Sequence, residues 1–420
     1  VNGSPKRIPR IKIALIAVFL ATTAGCTMFK MGSLFLAGRL DRKGYYAEVD
    51  ILYRRGMILI PVHVNDRPET YHFLFDTSAT FNTISPTLAR TFALASKASD
   101  TIADSNQKKG TTEFVTLDRI TLGGIPFEAT AAGVFDLNRI PSLPSLGCYA
   151  ADGVIGMNLM RLAPYWRIDY VRRKLIFTDR EDRLPDLSPV LVLPFKQTIQ
   201  RIPEITLEWN GLRLPFKVDL GSTSGFRAPL EYWEKIRLRR EETIPSVAVY
   251  GELLGGAMGV KVSRGRTAVL HNVRCGEYRS PALRVAFYPE AFASVGNDFF
   301  CRFAVTFDWR KNEIRLTPQT PEPPSELETF GFGFSFNKEG RSLYVSYLYE
   351  GSPAEKAGVK VGDRILRIND LKFDSVTIDD YCRFFLEPDL LFGSGKTLSI
   401  LMESEGKQET YTLNKTIILQ

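Results

Sequence analysis

Asp76 and Asp219 each close an apolar run and open a turn, Phe73-Leu74-Phe75-Asp76-Thr77-Ser78 in the first case and Phe216-Lys217-Val218-Asp219-Leu220-Gly221-Ser222 in the second. Carboxylates placed this way can be brought face to face. Two that meet cannot both ionise cheaply, so they hold one proton between them and titrate in two separated steps. One then acts as general base on a water molecule while the other protonates a carbonyl oxygen. That division of labour hydrolyses a peptide bond with no metal and no organic cofactor, and it suits mildly acid conditions.

Each aspartate has the same escort. Upstream lies a strand and a tight turn, Ile58-Leu59-Ile60-Pro61-Val62-His63-Val64 before Asn65-Asp66, and Glu204-Ile205-Thr206-Leu207-Glu208-Trp209 before Asn210-Gly211. Downstream lies an apolar step ending in glycine, Val154-Ile155-Gly156 and Ser294-Val295-Gly296, 80 residues beyond Asp76 and 77 beyond Asp219. Farther on, Ile168-Asp169-Tyr170 precedes Lys174-Leu175-Ile176-Phe177 as Phe307-Asp308-Trp309 precedes Glu313-Ile314-Arg315-Leu316, and both read as β-hairpins. One Asp-Thr-Ser or Asp-Leu-Gly by itself would be only a turn. Duplication implies two β lobes related by a pseudo-twofold axis.

Over residues 51–320 this organisation resembles the aspartic peptidases, with two lobes of retropepsin size fused in tandem as in the bilobal pepsin-like enzymes. The resemblance implies that Asp76 and Asp219 form the catalytic dyad, that Gly156 and Gly296 support it, and that Thr77, Ser78, Gly221 and Ser222 orient it. It also implies β-hairpin flaps over the substrate, for which residues 103–115 and 247–262 are the candidates; Tyr250 lies on the second, although a strand tyrosine is more often a packing residue. Two positions depart from the family. Ser78 stands where the family has Gly, adding a Cβ beside the carboxylates, and Leu220 stands where it has Thr or Ser. In the family those hydroxyls bridge the lobes; Thr77 can make its half of the brace and Leu220 cannot. The principal reading is an aspartic endopeptidase of protein and peptide substrates. Its rival is a catalytically inactive peptide-binding lipoprotein that retains the fold.

Beyond a proline-rich hinge, Thr317-Pro318-Gln319-Thr320-Pro321-Glu322-Pro323-Pro324, comes Gly331-Phe332-Gly333-Phe334. Next are Ser352-Pro353-Ala354-Glu355-Lys356-Ala357-Gly358, a short helix with serine cap, first-turn proline and closing glycine, and the turn and strand Gly362-Asp363-Arg364-Ile365-Leu366-Arg367-Ile368-Asn369. Together these resemble a PDZ domain, β with two short helices. The resemblance implies that Gly331, Phe332, Gly333 and Phe334 present N–H groups to a peptide carboxylate, that the peptide adds a strand, and that residues 377–386 line the groove with Tyr381, Phe384 and Phe385. Two readings of the groove stand: an external peptide, recruiting or gating substrate, or occupation by the protein's own chain.

The N-terminal region carries Lys6, Arg7, Arg10 and Lys12 before the apolar stretch 13–21, too short to span a bilayer, and then Thr23-Ala24-Gly25-Cys26. This resembles a bacterial lipobox with Thr23 in place of the usual leucine, implying lipidation at Cys26 and, from Thr27, the outer membrane. The formal charge of +7 is confined to residues 1–43, with eight Lys/Arg and one Asp; residues 44–420 hold 46 of each sign. No basic stripe marks a nucleic-acid surface. Cys148, Cys275, Cys301 and Cys382 allow three pairings; Cys275 with Cys301, or buried free thiols, both stay open. Three scattered histidines form neither a zinc cluster nor a triad. The resulting map is a signal peptide 1–25, anchor and linker 26–50, lobe one 51–183, linker 184–198, lobe two 199–316, hinge 317–326 and PDZ domain 327–420, in the bacterial cell envelope, periplasmic or surface-facing. With both halves of the dyad in one chain, dimerisation is not required.

Overall fold

The computed structural model describes residues 30–104, 107–139, 144–185, 190–239, 243–256, 258–289 and 291–420. The leader and Cys26 lie outside them, and no helix among the described residues is long and apolar enough to cross a membrane. The chain is mainly β.

Strand Met57–Val64 turns through Asn65 and Asp66, both at positive φ, and pairs antiparallel with Tyr71–Phe75. Strand Pro203–Trp209 does the same through Asn210 and Gly211 into Leu212–Val218. Two consecutive positive-φ residues match the twist of a tight hairpin, as between Trp209 and Leu212, and Asn, Asp and Gly tolerate them best; the first connection is longer, its last strand pair being Val62 with Tyr71. Each aspartate-bearing strand then pairs in parallel with the apolar–glycine step, Phe75 opposite Ile155 and Val218 opposite Val295. The return strands Asn82–Ile84 and Phe226–Pro229 lie on the other side of that step, with Thr83 opposite Val154 and Arg227 opposite Ser294. The two halves therefore share one local topology.

The terminal hairpins join the halves. Tyr165–Asp169 lies antiparallel to Phe303–Asp308 with Arg167 opposite Thr306 at its centre. Lys174–Thr178 and Tyr46–Asp50 extend this sheet on one side, and Glu313–Pro318 and Leu191–Gln197 on the other. The last strand on each side falls in a stretch read from sequence as a connection, 26–50 and 184–198; each connection doubles as a sheet strand. One hydrophobic core runs through both halves and includes Phe75, Trp166, Phe177, Val218 and Phe307. The Trp166 and Phe177 rings stack at 4.7 Å, directly behind the strand that ends in Asp76.

The C-terminal module has its own core, around Leu343, Val345, Ile365, Ile368, Leu398 and Ile400. Its strands include Phe332–Asn337, Ser342–Tyr349, Arg364–Ile368, Thr397–Ser404 and Lys407–Asn414. The short helix Pro353–Lys356 is capped by the Ser352 hydroxyl, which accepts from Glu355 N at 3.3 Å, and Gly358 follows at φ 96°. Thr377 and Asp380 form a reciprocal capping box on helix Ile378–Leu386, satisfying two N–H groups that the helix itself cannot.

Candidate active site

Both aspartates are pinned at the backbone in the same way. Asp76 N donates to Ile155 O at 3.1 Å and Asp219 N to Val295 O at 2.9 Å, so each residue is the last held by the apolar–glycine step before the chain turns. The turn then lies directly on the glycine. A Cβ on Gly156 would come within 2.5 Å of Phe81 O, and one on Gly296 within 2.6 Å of Ser222 O and Ser224 O. Met157 N to Ala79 O, and Asn297 N to Ser222 O, close each turn from behind.

Thr77 supplies the cross-lobe brace. Its buried hydroxyl donates to Val218 O at 2.7 Å and accepts from Leu220 N at 3.1 Å, spanning both sides of Asp219. The answering hydroxyl is absent, and Leu220 is instead fully buried in the shared core. Its carbonyl accepts from Asn297 Nδ2 at 2.7 Å, and Asn297 Oδ1 accepts from the Tyr170 hydroxyl of the other half at 2.7 Å. This second bridge was not legible in the sequence, because Tyr170 and Asn297 are 127 residues apart and neither type announces a partner.

The carboxylates meet through Ser78. Its Oγ is 2.8 Å from Asp76 Oδ1 and 2.9 Å from Asp219 Oδ1. A hydroxyl has one hydrogen, so it donates to one carboxylate and accepts from the other; both contacts are hydrogen bonds only when one of the two acids is protonated. The residue that departs from the family pattern thus links the two acids. Asp76 Oδ1 also accepts from Ser78 N at 2.7 Å and Ala79 N at 3.1 Å. A Cβ on Gly221 would fall 2.3 Å from Asp76 Cγ, so glycine there leaves the space that the opposite carboxylate fills. Burial, followed by the charge of Asp219, raises the Asp76 carboxyl to about 7, against the hydrogen bonds from Ser78 and Ala79.

The two acids are not equivalent. Arg227, 11% exposed along its side chain, places Nη2 3.3 Å from Asp219 Oδ2 and donates from Nε to Ser294 Oγ at 2.8 Å. At the matching register the first half has Thr83 opposite Val154. A positive charge therefore stands beside Asp219 alone. The available sequence signal was an arginine inside the otherwise apolar Phe226-Arg227-Ala228-Pro229.

Several expected residues sit elsewhere. Ser222 does not orient a carboxylate: its hydroxyl pairs with Ser224 Oγ at 2.7 Å and its N–H donates to Asp219 O, because the turn carries it past the acid. Both candidate flaps are hairpins, Ala98–Ala103 with Lys109–Leu122 and Ser246–Gly256 with Gly259–Cys275, and their ends meet. Lys108 Nζ donates to Val260 O at 2.7 Å and Met258 N to Asp104 Oδ2 at 2.8 Å; Asn106 lies outside the described residues. Tyr250 is engaged with the C-terminal module. Its strand pairs with Ser342–Tyr349 of the C-terminal module and its hydroxyl donates to Glu355 Oε1 at 3.3 Å.

In that module Gly331 is at φ 98°, and its N–H, expected to be free for a ligand carboxylate, donates to Thr329 Oγ1 at 3.0 Å. Phe332 and Phe334 pack against Phe392 at 5.8 and 5.9 Å, and Gly333 stands beside the Tyr347 ring. The cysteine pairing is Cys148 with Cys382, leaving Cys275 and Cys301 as thiols. The alternative of Cys275 with Cys301 is therefore corrected: Cys275 is buried at the end of a long strand in the core of the second half.

Residues 60–159 match the family model described as aspartyl protease, and residues 344–388 match that of the PDZ domain. The chain therefore carries an aspartyl protease domain followed by a PDZ domain; Asp76 falls inside the first match and Asp219 beyond it. The chain is similar to human (Homo sapiens) whirlin, 48% identical over 50 residues that cover 11% of this chain and 6% of whirlin. It is also similar to human (Homo sapiens) Tax1-binding protein 3, 41% identical over 46 residues that cover 11% of this chain and 37% of that protein. The matched segments thus span well under half the length of either relative.

The raised Asp76 carboxyl has a measurable consequence. The folded chain holds this proton more tightly than the unfolded chain does, so the stability tied to Asp76 is full below about pH 4 and is lost as the pH rises to about 7. Urea unfolding of wild type and Asp76→Asn at pH 4 and pH 8 should show wild type losing a few kcal/mol relative to the variant over that interval. A constant difference between the two proteins would contradict the assignment.

Proposed function

We propose that the protein is an aspartic endopeptidase built from two retropepsin-like lobes, with Asp76 and Asp219 as its dyad. The observation that carries this reading is the single hydroxyl joining two carboxylates delivered by separate halves of the chain. Asp76, raised to about 7, holds the proton under mildly acid conditions and acts as general acid toward the scissile carbonyl oxygen. Asp219, ion-paired with Arg227, accepts the proton of the attacking water. Ser78 keeps the two acids in register, Thr77 fixes the second turn, and Gly221 leaves room for the Asp76 carboxyl. The closed meeting of the two hairpins supports a roof under which an extended peptide would lie. The match of residues 344–388 to the PDZ domain supports binding of peptide or protein partners.

We further propose that the protein is exported and lipid-anchored at Cys26. The disulfide between Cys148 and Cys382 supports this, since such bonds persist in oxidising compartments. Metabolic labelling with a lipid precursor should mark wild type and not Cys26→Ala; equal labelling would end this part of the reading.

Incubating an unstructured casein with the protein between pH 4 and 7 should give cleavage that declines above about pH 7, as Asp76 loses its proton. Asp76→Asn and Asp219→Asn should each abolish it, and undiminished cleavage by either variant rules out the dyad. Ser78→Ala should lower kcat by about tenfold to a hundredfold with little change in KM, the scale expected when catalytic groups drift by about 1 Å. A rise in kcat would instead mean that the hydroxyl occupies the seat of the water.

A further inference from the structure

The PDZ groove lies between strand Phe332–Asn337 and helix Ile378–Leu386. The strand is paired with Ser342–Tyr349, and the groove beside it receives a helical turn of the protease domain, Pro144–Gly147, which touches both walls. Cys148, the next residue, is buried with the PDZ core and bonded to Cys382 on the groove helix. Tyr149 meets the Phe385 ring edge-on at 6.0 Å, and the Arg55 guanidinium lies 4.5 Å from the centre of that ring and donates to Phe385 O. The occupant is therefore held by a covalent bond and an aromatic contact, and Arg55, whose carbonyl accepts from the Tyr149 hydroxyl at 3.1 Å, adds a cation–π contact beside it.

We infer that the resident ligand of this PDZ groove is the chain's own internal segment 144–149, latched by the Cys148–Cys382 disulfide, and that reduction of this bond is what opens the groove to an external peptide. A peptide that adds a strand to Phe332–Asn337 needs the space that Pro144–Gly147 fills. While the disulfide is intact the internal segment cannot diffuse away, and its effective concentration exceeds anything a free competitor can reach. Reduction changes this. A dithiol attacks one sulfur, the Cys148–Cys382 bond breaks, each cysteine gains a proton, and the reductant leaves as its own cyclic disulfide, a balanced two-electron exchange. The segment then competes only through its non-covalent contacts.

The opposite side of the module carries the effect farther. Tyr349, Leu348 and Tyr347 pair with Val249, Tyr250 and Gly251 of the second hairpin over the cleft, and Tyr344 donates to Glu252 Oε1 at 2.8 Å. The module thus ties the first half of the protease domain, by its disulfide, to the roof strand of the second half. Release of the groove loosens one end of that strap.

Binding alone, without catalysis, reports whether the groove is open. Fluorescein-labelled decapeptides ending in a free Val, Leu or Phe would be titrated into the full chain as oxidised wild type, as wild type reduced with dithiothreitol, and as Cys382→Ser. Reduced wild type and Cys382→Ser should each bind at least one of these peptides about tenfold or more tightly than oxidised wild type does. Among the described residues Cys275 and Cys301 are already thiols, so the reductant has no other disulfide to break there. Equal affinity before and after reduction overturns the inference, as does failure of both the reduced protein and Cys382→Ser to bind, or the finding by mass spectrometry that Cys148 and Cys382 remain unpaired under oxidising conditions.

Discussion

Two acids against one serine hydroxyl is the constraint on which the rest of this structure depends. Like charges at that separation repel, and burial strengthens the repulsion because little solvent screens it. The pair therefore favours sharing one proton, and burial together with the Asp219 charge raises the Asp76 carboxyl to about 7. The surrounding features follow from this demand. Gly221 leaves space for the Asp76 carboxyl, the N–H groups of Ser78 and Ala79 fix one of its oxygens, and Arg227 offers a positive charge to the opposite acid only. A pair delivered by two halves of like local topology is chemically asymmetric through one register position, where one half has Thr83 and the other Arg227.

Holding two halves in such register requires contacts that cross between them, and one expected contact is missing. Leu220 has no hydroxyl to answer Thr77. The structure redistributes the restraint: Thr77 keeps both of its bonds, Leu220 is buried as a core residue, Asn297 and Tyr170 connect the halves behind the turn, and Ser78 connects them in front. A neutral hydrogen bond is worth on the order of 1 kcal/mol net, and leaving its buried partners unsatisfied costs more. Several such bonds, together with a sheet built from both terminal hairpins, hold the two halves where Leu220 offers no hydroxyl.

The PDZ domain is not a free appendage. Its Ser342–Tyr349 strand pairs with strand Ser246–Gly256 of the second hairpin, and the turn Pro144–Gly147 of the protease domain lies against both its strand Phe332–Asn337 and its helix Ile378–Leu386. The edge strand that a PDZ domain would offer to a partner is thereby covered by a helix of the same chain, one of the ways in which proteins keep an open edge from pairing with whatever arrives. Access to the groove and the position of the roof are thus mechanically linked through one small module.

The sequence by itself determined the duplicated strand–turn–aspartate unit, the pairing of Asp76 with Asp219, the positions of Gly156 and Gly296, the capped helix after Ser352 in the C-terminal module and the half of the cross-lobe brace that Thr77 can make. These are local statements, written in apolar periodicity, turn chemistry and the presence or absence of a hydroxyl. Tertiary structure alone decided that Ser78 bridges the acids, that Ser222 does not touch them, that Arg227 stands beside Asp219, that Asn297 meets Tyr170 and that Cys148 pairs with Cys382 across 234 residues. For Ser78, Asn297 and Cys148 the physical reason is which side chains from distant segments arrive within bonding distance of one another, which no spacing along the chain encodes until both halves and the module have packed. For Ser222 and Arg227 it is how the chain folds back after Asp219, a path that packing decides.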